Sequence, residues 1–408
     1  MATVGPTPEE IERARELLQG VAVRTPLEGA RWLSSIAGGP VLLKAENLQR
    51  AGSFKIRGAF TRMSGLSDEE RANGVVAASA GNHAQGVALA ASLLGIKSVV
   101  YMPTGASIPK EKATRGYGAD VRISGTTIDE ALIAAKEYAD ETGAFLVHPF
   151  DHPDIVAGQA TCGLEILEQR PDVRTILVPT GGGGLLAGIA AAVKHQRPDV
   201  RIVGVQAEGA AAYPMSLAAG HPEALPSMAT MADGIAVGRP GDIPFATVRE
   251  LVDEVITVNE ESLSQALLML LERAKLVVEP AGAAAVAAIA DHPKRFETPV
   301  VAVLSGGNID PLLLMNVIRH GMATSGRYLV FRARIPDRPG GLATLLKELA
   351  DVQANILDVV HSRTSAQLHL GEVDVELQVE TRGEPHAQQV LAHQRSCGYP
   401  IAEAPAFT

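Results

Sequence analysis

The chain has 408 residues, room for about two to three domains with conventional cores, and its 36 Lys and Arg against 46 Asp and Glu leave a net charge of -10. With no basic cluster, that balance excludes a nucleic-acid footprint and an anionic membrane surface, so small molecules are the expected partners. No apolar run is long enough to span a bilayer, and the cysteines, Cys162 and Cys397, lie far apart in helical-looking segments, which fits a reducing cytoplasm rather than a disulfide framework.

Met1 to Gly20 is charged and amphipathic, unlike a signal peptide, with Thr7 and Glu10 at capping-box spacing around Pro8. From Pro40 to about Ile309 short β-branched runs alternate with Ala-rich helical stretches. Val75–Ala78 precedes a helix over 82–94, Ser98–Tyr101 one over 109–117, and Thr175–Val178 one over 185–195. Further strands fit Arg201–Val205, Glu254–Val258 and Pro299–Leu304. This is the βαβ signature of mostly parallel, doubly covered sheets, and the number of units calls for two lobes with a cleft where strand ends meet helix starts.

Four stretches in this region carry chemistry. Gly52-Ser53-Phe54-Lys55-Ile56-Arg57-Gly58-Ala59 puts a lysine in the first turn of a helix, beside an aromatic ring, with Ser53 as its expected cap. Desolvation and the helix dipole there favour the neutral amine that an imine-forming lysine needs. Ser79-Ala80-Gly81-Asn82-His83 is a tight turn from strand into helix, whose amides suit a carboxylate. Gly181-Gly182-Gly183-Gly184 lies between a strand and the helix opening at Leu185. Only glycine lets successive amides crowd one phosphate, and the missing Lys-Ser or Lys-Thr afterwards points to a monoester rather than a triphosphate. Ser305-Gly306-Gly307-Asn308 follows the last strand, and its hydroxyl can meet a heteroaromatic nitrogen.

Other candidates read more plainly. His148 and His152 flank Asp151, but no Gly-x-Ser-x-Gly elbow accompanies them, so a hydrolase is not expected. Cys162 reads as a small core residue. Glu208 has no acidic partner in Ala210–Pro214, so no metal is expected there. Glu279, in Val278-Glu279-Pro280-Ala281-Gly282, suits a helix start, where the dipole favours a carboxylate, and equally a role in the site.

Beyond residues 321–326 the texture changes. Strand-like Tyr328–Ile335, helical Leu342–Leu349, strand-like Ile356–Val360 and Glu372–Val379, helical His386–His393 and a possible last strand spell βαββα(β), the ferredoxin-like plan. The boundary is set near residue 326, giving domains 1–325 and 326–408, with a small lobe at roughly 50–153 inserted in the large one.

An imine lysine, a phosphate cradle, a carboxylate turn and a ring-nitrogen partner together describe a pyridoxal phosphate site. Ser53–Ala59, Ser79–Gly86, the four-glycine loop and Ser305–Asn308 stand in the order found in the threonine dehydratases (threonine ammonia-lyases) of the tryptophan-synthase-β fold type, fold type II, with an appended ACT domain, and the chain resembles that family. The resemblance implies that Lys55 holds the cofactor and, once displaced, takes the Cα proton. It places Phe54 beside the pyridine ring, Asn82 on the ring hydroxyl, Gly181 to Leu185 around the phosphate and Ser305 at the ring nitrogen. Ser79, Ala80, Gly81, Asn82 and His83 would hold the substrate.

L-threonine would then leave as 2-oxobutanoate and ammonia, with L-serine as a further substrate. Serine racemases of this type carry a serine where Ala80 stands, which disfavours racemisation here. Serine or hydroxyaspartate dehydration, racemisation and a non-catalytic amino-acid sensor are the alternatives weighed. Arg338, Pro339 and Gly340 resemble the ACT effector loop and Asn355 and Ile356 an ACT strand start, implying isoleucine or valine as effector, a place in isoleucine biosynthesis or in threonine catabolism, and a homodimer or homotetramer.

Overall fold

The computed structural model describes residues 5–363 and 368–403; the first four positions of the expected amphipathic start, residues 364–367 and the tail from 404 lie outside the described residues. The chain divides into two compact units, the first running to Asp310 and the second starting at Pro311.

Ten strands build the first unit: β1 (Leu27–Gly29), β2 (Val41–Lys44), β3 (Val75–Ala78), β4 (Ser98–Met102), β5 (Asp120–Ile123), β6 (Phe145–Leu146), β7 (Thr175–Pro179), β8 (Arg201–Ala207), β9 (Glu254–Val258) and β10 (Val300–Val303). Six form a sheet in the order β1-β2-β10-β7-β8-β9, parallel except for β1. The other four form a parallel sheet, β5-β4-β3-β6, whose strands all fall in sequence between β2 and β7. β7 and β10 are buried along their whole length, as strands covered on both faces must be. The α/β reading with two mostly parallel sheets is therefore correct, and the expected elements fall within a residue or two of the observed ones.

The helices explain where the lysine turn sits. Pro153–Gln169 and Gly184–Gln196 are apolar almost all round, so they pack on neighbours on every side. Glycines let them approach closely: a Cβ on Gly188 would stand 2.6 Å from the Val156 carbonyl oxygen, and one on Gly158 2.6 Å from that of Arg57. Helix Lys55–Ser64 is thus held against Pro153–Gln169. Arg57 pins it from behind, with Nε 2.8 Å from Glu46 and Nη1 2.8 Å from Glu165 in a buried ion-pair cluster. Removing one partner would strand a buried charge, at a cost of about 3–5 kcal/mol.

The second unit holds helix Pro311–Thr324, then β11 (Tyr328–Pro336), helix Gly341–Asp351, β12 (Asn355–Ser362), β13 (Glu372–Glu380), helix Glu384–Ser396 and β14 (Ile401–Glu403). Its antiparallel sheet runs β12-β13-β11-β14, the ferredoxin-like order. Alternation along β13 buries Val373, Val375, Leu377 and Val379 with Phe331, Leu345, Leu349 and Val390, giving this unit its own core. Helix Pro311–Thr324, on the first domain's side of the expected boundary near 326, packs on β11 and falls within the second unit.

Candidate active site

Four turns from distant parts of the sequence converge on one cleft in the first unit. Lys55 opens its helix, and its Nζ donates to the Pro149 carbonyl oxygen at 3.0 Å, 5.2 Å from the centre of the Phe54 ring. Burial pushes the amine's pKa down to about 8, although Glu279 pulls the other way. The lysine turn is zipped to the last turn of the unit. Phe54 N–H donates to the Ser305 carbonyl oxygen at 3.2 Å, Gly307 N–H to that of Gly52 at 2.9 Å, and Ser53 pairs with Gly306 as an antiparallel bridge. That pairing corrects the expected role of Ser53. Its backbone is extended (φ -163°, ψ 163°), Phe54 takes the cap position without a side-chain bond, and the Ser53 hydroxyl is buried with no partner.

The glycine run enters helix Gly184–Gln196, with Gly183 at φ +97° as its cap. Among the described residues, none accepts a hydrogen bond from the backbone N–H groups of Gly181, Gly182, Gly183, Gly184 or Leu185. Five consecutive donors at a helix start are thus left for an anion. The glycines also answer to packing that the sequence does not announce. A Cβ on Gly182 would meet the Phe150 ring at 2.5 Å, and one on Gly183 the Tyr213 hydroxyl at 1.8 Å. Tyr213 is fully buried and points its hydroxyl at the Gly182 carbonyl oxygen.

Asn82 is the first residue of its helix and is 8% exposed; Gly81 holds the cap position. Its Oδ1 accepts from Asn308 Nδ2 at 2.8 Å, and its Nδ2 donates to Glu279 Oε1 at 2.5 Å. Ser305, buried, lines the cleft beside Lys55 and Asn82. Phe54, Lys55, Asn82, Gly181, Gly182, Gly183, Leu185 and Ser305 all face it, whereas Ser79, Ala80, Gly81 and His83 do not line it. The His83 ring is buried with Nε2 2.9 Å from the Val147 carbonyl oxygen, and burial together with the nearby Lys55 charge pushes its pKa down to about 3. His83 therefore offers a ligand only its backbone.

Much of the remaining cleft wall escaped sequence reasoning. Gly234 and Ile235, in the short turn Asp233–Ile235, face the glycine run, and Asp233 is tied at 2.5 Å to the nearly buried Lys110 of helix Ile108–Gly116. Phe150 lies in an irregular stretch after β6, where no periodicity marks it. Glu279, read as a helix-start carboxylate, makes no cap bond and lines the cleft instead.

No hydrolytic pair forms at His148. Its Nδ1 accepts from Phe150 and Asp151 N–H, and the Asp151 carboxylate accepts from Asp242 and Ile243 N–H. Among the described residues, no group of three or more His, Cys, Asp or Glu could hold a metal ion. In the second unit Arg338, Pro339 and Gly340 follow the end of β11, where Pro336 pairs with Glu372. Asn355 pairs with Glu380, at the other end of β13, so Asn355 and Ile356 do not meet the Arg338–Gly340 loop within one chain.

The donor set fits pyridoxal phosphate: a desolvated amine, a row of free amides for its phosphate, and a neutral hydroxyl and a carboxamide on one cleft. Comparison with known proteins agrees. The pyridoxal-phosphate dependent enzyme family matches residues 18–306. The L-threonine ammonia-lyase of Thermotoga maritima is 45% identical over 395 residues, covering 97% of this chain and 98% of its own. Among solved structures, a threonine deaminase from T.th. superposes with a TM-score of 0.72 at 42% identity, over 75% of this chain and 99% of that one. Maize serine racemase gives a TM-score of 0.73 at 36% identity, over 79% and 99%. The cleft, its donors and these likenesses place the chain among the pyridoxal-phosphate dependent enzymes.

Proposed function

We propose that the chain deaminates L-threonine to 2-oxobutanoate and ammonia by eliminating the β-hydroxyl, and that it acts on L-serine in the same way. The observation that carries this reading is that the Lys55 amine, the unpartnered amides of the Gly181–Leu185 run and Ser305 meet on one cleft. The near full-length likeness to a threonine ammonia-lyase supports the choice of substrate.

When bound, pyridoxal phosphate supplies the electron sink for charge developing at the substrate Cα. Five amides and the helix start would bind its phosphate, Phe54 would flank the ring, and Asn82 would bond the ring hydroxyl. Ser305 offers the ring nitrogen a neutral partner, which favours elimination over transamination. The substrate carboxylate would be held from the Ser79–His83 turn, where Ser79 N–H is taken by Tyr101 and Gly81 N–H by the Ser79 hydroxyl, leaving Ala80, Asn82 and His83 N–H. The Lys55 amine takes the Cα proton; depression of its pKa keeps much of it unprotonated near neutrality. Ala80 has no group to exchange a proton on the opposite face, which argues against racemisation despite the maize likeness.

The second unit would act as an ACT-type regulatory domain answering to isoleucine or valine. Since Arg338–Gly340 and Asn355–Ile356 stand at opposite ends of one sheet, a site using both needs two copies of the chain, as in a homodimer or homotetramer. A coupling on the order of 1–3 kcal/mol is the usual size.

The test is release of 2-oxo acid from L-threonine, L-serine and threo-3-hydroxyaspartate, with and without isoleucine and valine. Threonine should be the best substrate, and Lys55→Arg should lose about a thousandfold or more. Equal rates on all three, or an active Lys55→Arg, would defeat the reading.

A further inference from the structure

We propose that Glu279 is a further residue of the cofactor pocket: its Oε1 sets the orientation of the Asn82 carboxamide, and its Oε2 is the partner of the ring hydroxyl of the bound phosphopyridoxal. This rests on the cofactor reading above and deepens it.

The orientation follows from donor chemistry. Asn82 Oδ1 accepts from Asn308 Nδ2, which is itself fixed by donating to the Ala51 carbonyl oxygen at 2.7 Å, and Asn82 Nδ2 donates to Glu279 Oε1. Turning the carboxamide over would set oxygen against the carboxyl and NH₂ against NH₂. Glu279 takes one Nδ2 hydrogen and leaves the other for a ligand.

The second oxygen supplies the independent observation. Glu279 is 1% exposed, and Oε2 is buried with no hydrogen-bond partner. A buried, unsatisfied carboxyl oxygen calls for a missing partner, and this residue lines the cleft. Its neighbours do not supply one. The carboxyl makes no bond to the start of its own helix, Pro280–Asp291. Lys110 is taken by Asp233, and the Lys55 amine donates to Pro149. Gly306 keeps the space open, since a Cβ there would stand 2.2 Å from Glu279 Oε1.

The charges facing this carboxyl are Lys110 and Lys55, which favour its ionised form, and Asp233, which opposes it. Burial outweighs them and pushes the pKa up to about 7. Near neutrality Oε2 is therefore a donor in a large share of molecules and an acceptor in the rest.

The experiment is a chemical double cycle on the full chain: wild type, Glu279→Gln and Glu279→Ala, each titrated with pyridoxal phosphate and with its 3-deoxy analogue. Circular dichroism confirms that each variant folds. In wild type, loss of the ring hydroxyl should weaken binding about tenfold or more; in Glu279→Ala that discrimination should fall by about threefold or more, the share carried by Asn82 remaining. The wild-type holoenzyme's visible spectrum should also titrate with this carboxyl. Glu279→Gln, which keeps the acceptor for Asn82 but cannot ionise, should bind the natural cofactor and lose that titration. Equal discrimination between the ligands in wild type and Glu279→Ala, or a titration that survives in Glu279→Gln, overturns the proposal and leaves the cofactor reading intact. A wild-type chain that binds neither ligand overturns both.

Discussion

Lys55 is the residue on which the chemistry turns, and its surroundings decide when it can react. An amine at about 8 in the folded chain, against 10.5 as its ordinary value, is protonated at pH 6 and mostly free at pH 9. Uptake of pyridoxal phosphate by cofactor-free protein, followed by visible absorbance, should therefore accelerate about tenfold per pH unit up to roughly pH 8 and then level off. A rate flat between pH 6 and 9 would mean that burial does not depress the amine. This residue was legible because a lysine at a helix start between Ser-Phe and small residues is an unusual arrangement. Glu279 was only half legible: its sequence context suits a helix dipole equally well, and only the folded chain reveals that its carboxyl ignores that helix and bonds Asn82. His83 teaches the reverse, since its place in the carboxylate turn suggested a ligand contact while packing commits its ring to Val147.

At the scale of elements, the glycine run shows two demands met by the same residues. Its amides are free for an anion, and its missing side chains make room for Phe150 and Tyr213. Gly183→Ala meets both a positive φ and the Tyr213 hydroxyl, and should cost about 2–4 kcal/mol in thermal or denaturant unfolding. Adding Tyr213→Phe should recover part of that loss by removing the oxygen, whereas additive losses would place the strain elsewhere. Strands β3, β4 and β7 with the helices after them, and strands β9 and β10, were readable because β-branched runs and Ala-rich stretches differ sharply in period. The turn Asp233–Ile235 and the segment around Phe150 were not, because irregular backbone has no period to read and tertiary contacts alone bring it to the cleft.

For the whole molecule, the division at Asp310 and Pro311 separates a part with the cleft from one with its own apolar core. Every residue that lines the cleft falls in the first part. A chain ending at Asp310 should keep deamination within about threefold and lose any response to isoleucine or valine, measured as 2-oxo acid release with each amino acid present. Loss of turnover in a truncated chain that still folds would place catalytic need in the second unit. The βαββα(β) order of that unit was plain in the sequence. Which residues meet was not, because strand order decides that Asn355 and Gly340 stand at opposite ends.

The bridge between Ser53 and Gly306 has a consequence for biosynthesis. A ribosome must deliver more than three hundred residues before the reactive amine acquires the neighbours that unmask it, since β10 and its turn emerge after everything else in this unit. Until then the nascent chain carries an ordinary, mostly protonated amine at that position, slow toward aldehydes. Chemical competence therefore arrives with the closing strand, in a single late step of long-range assembly.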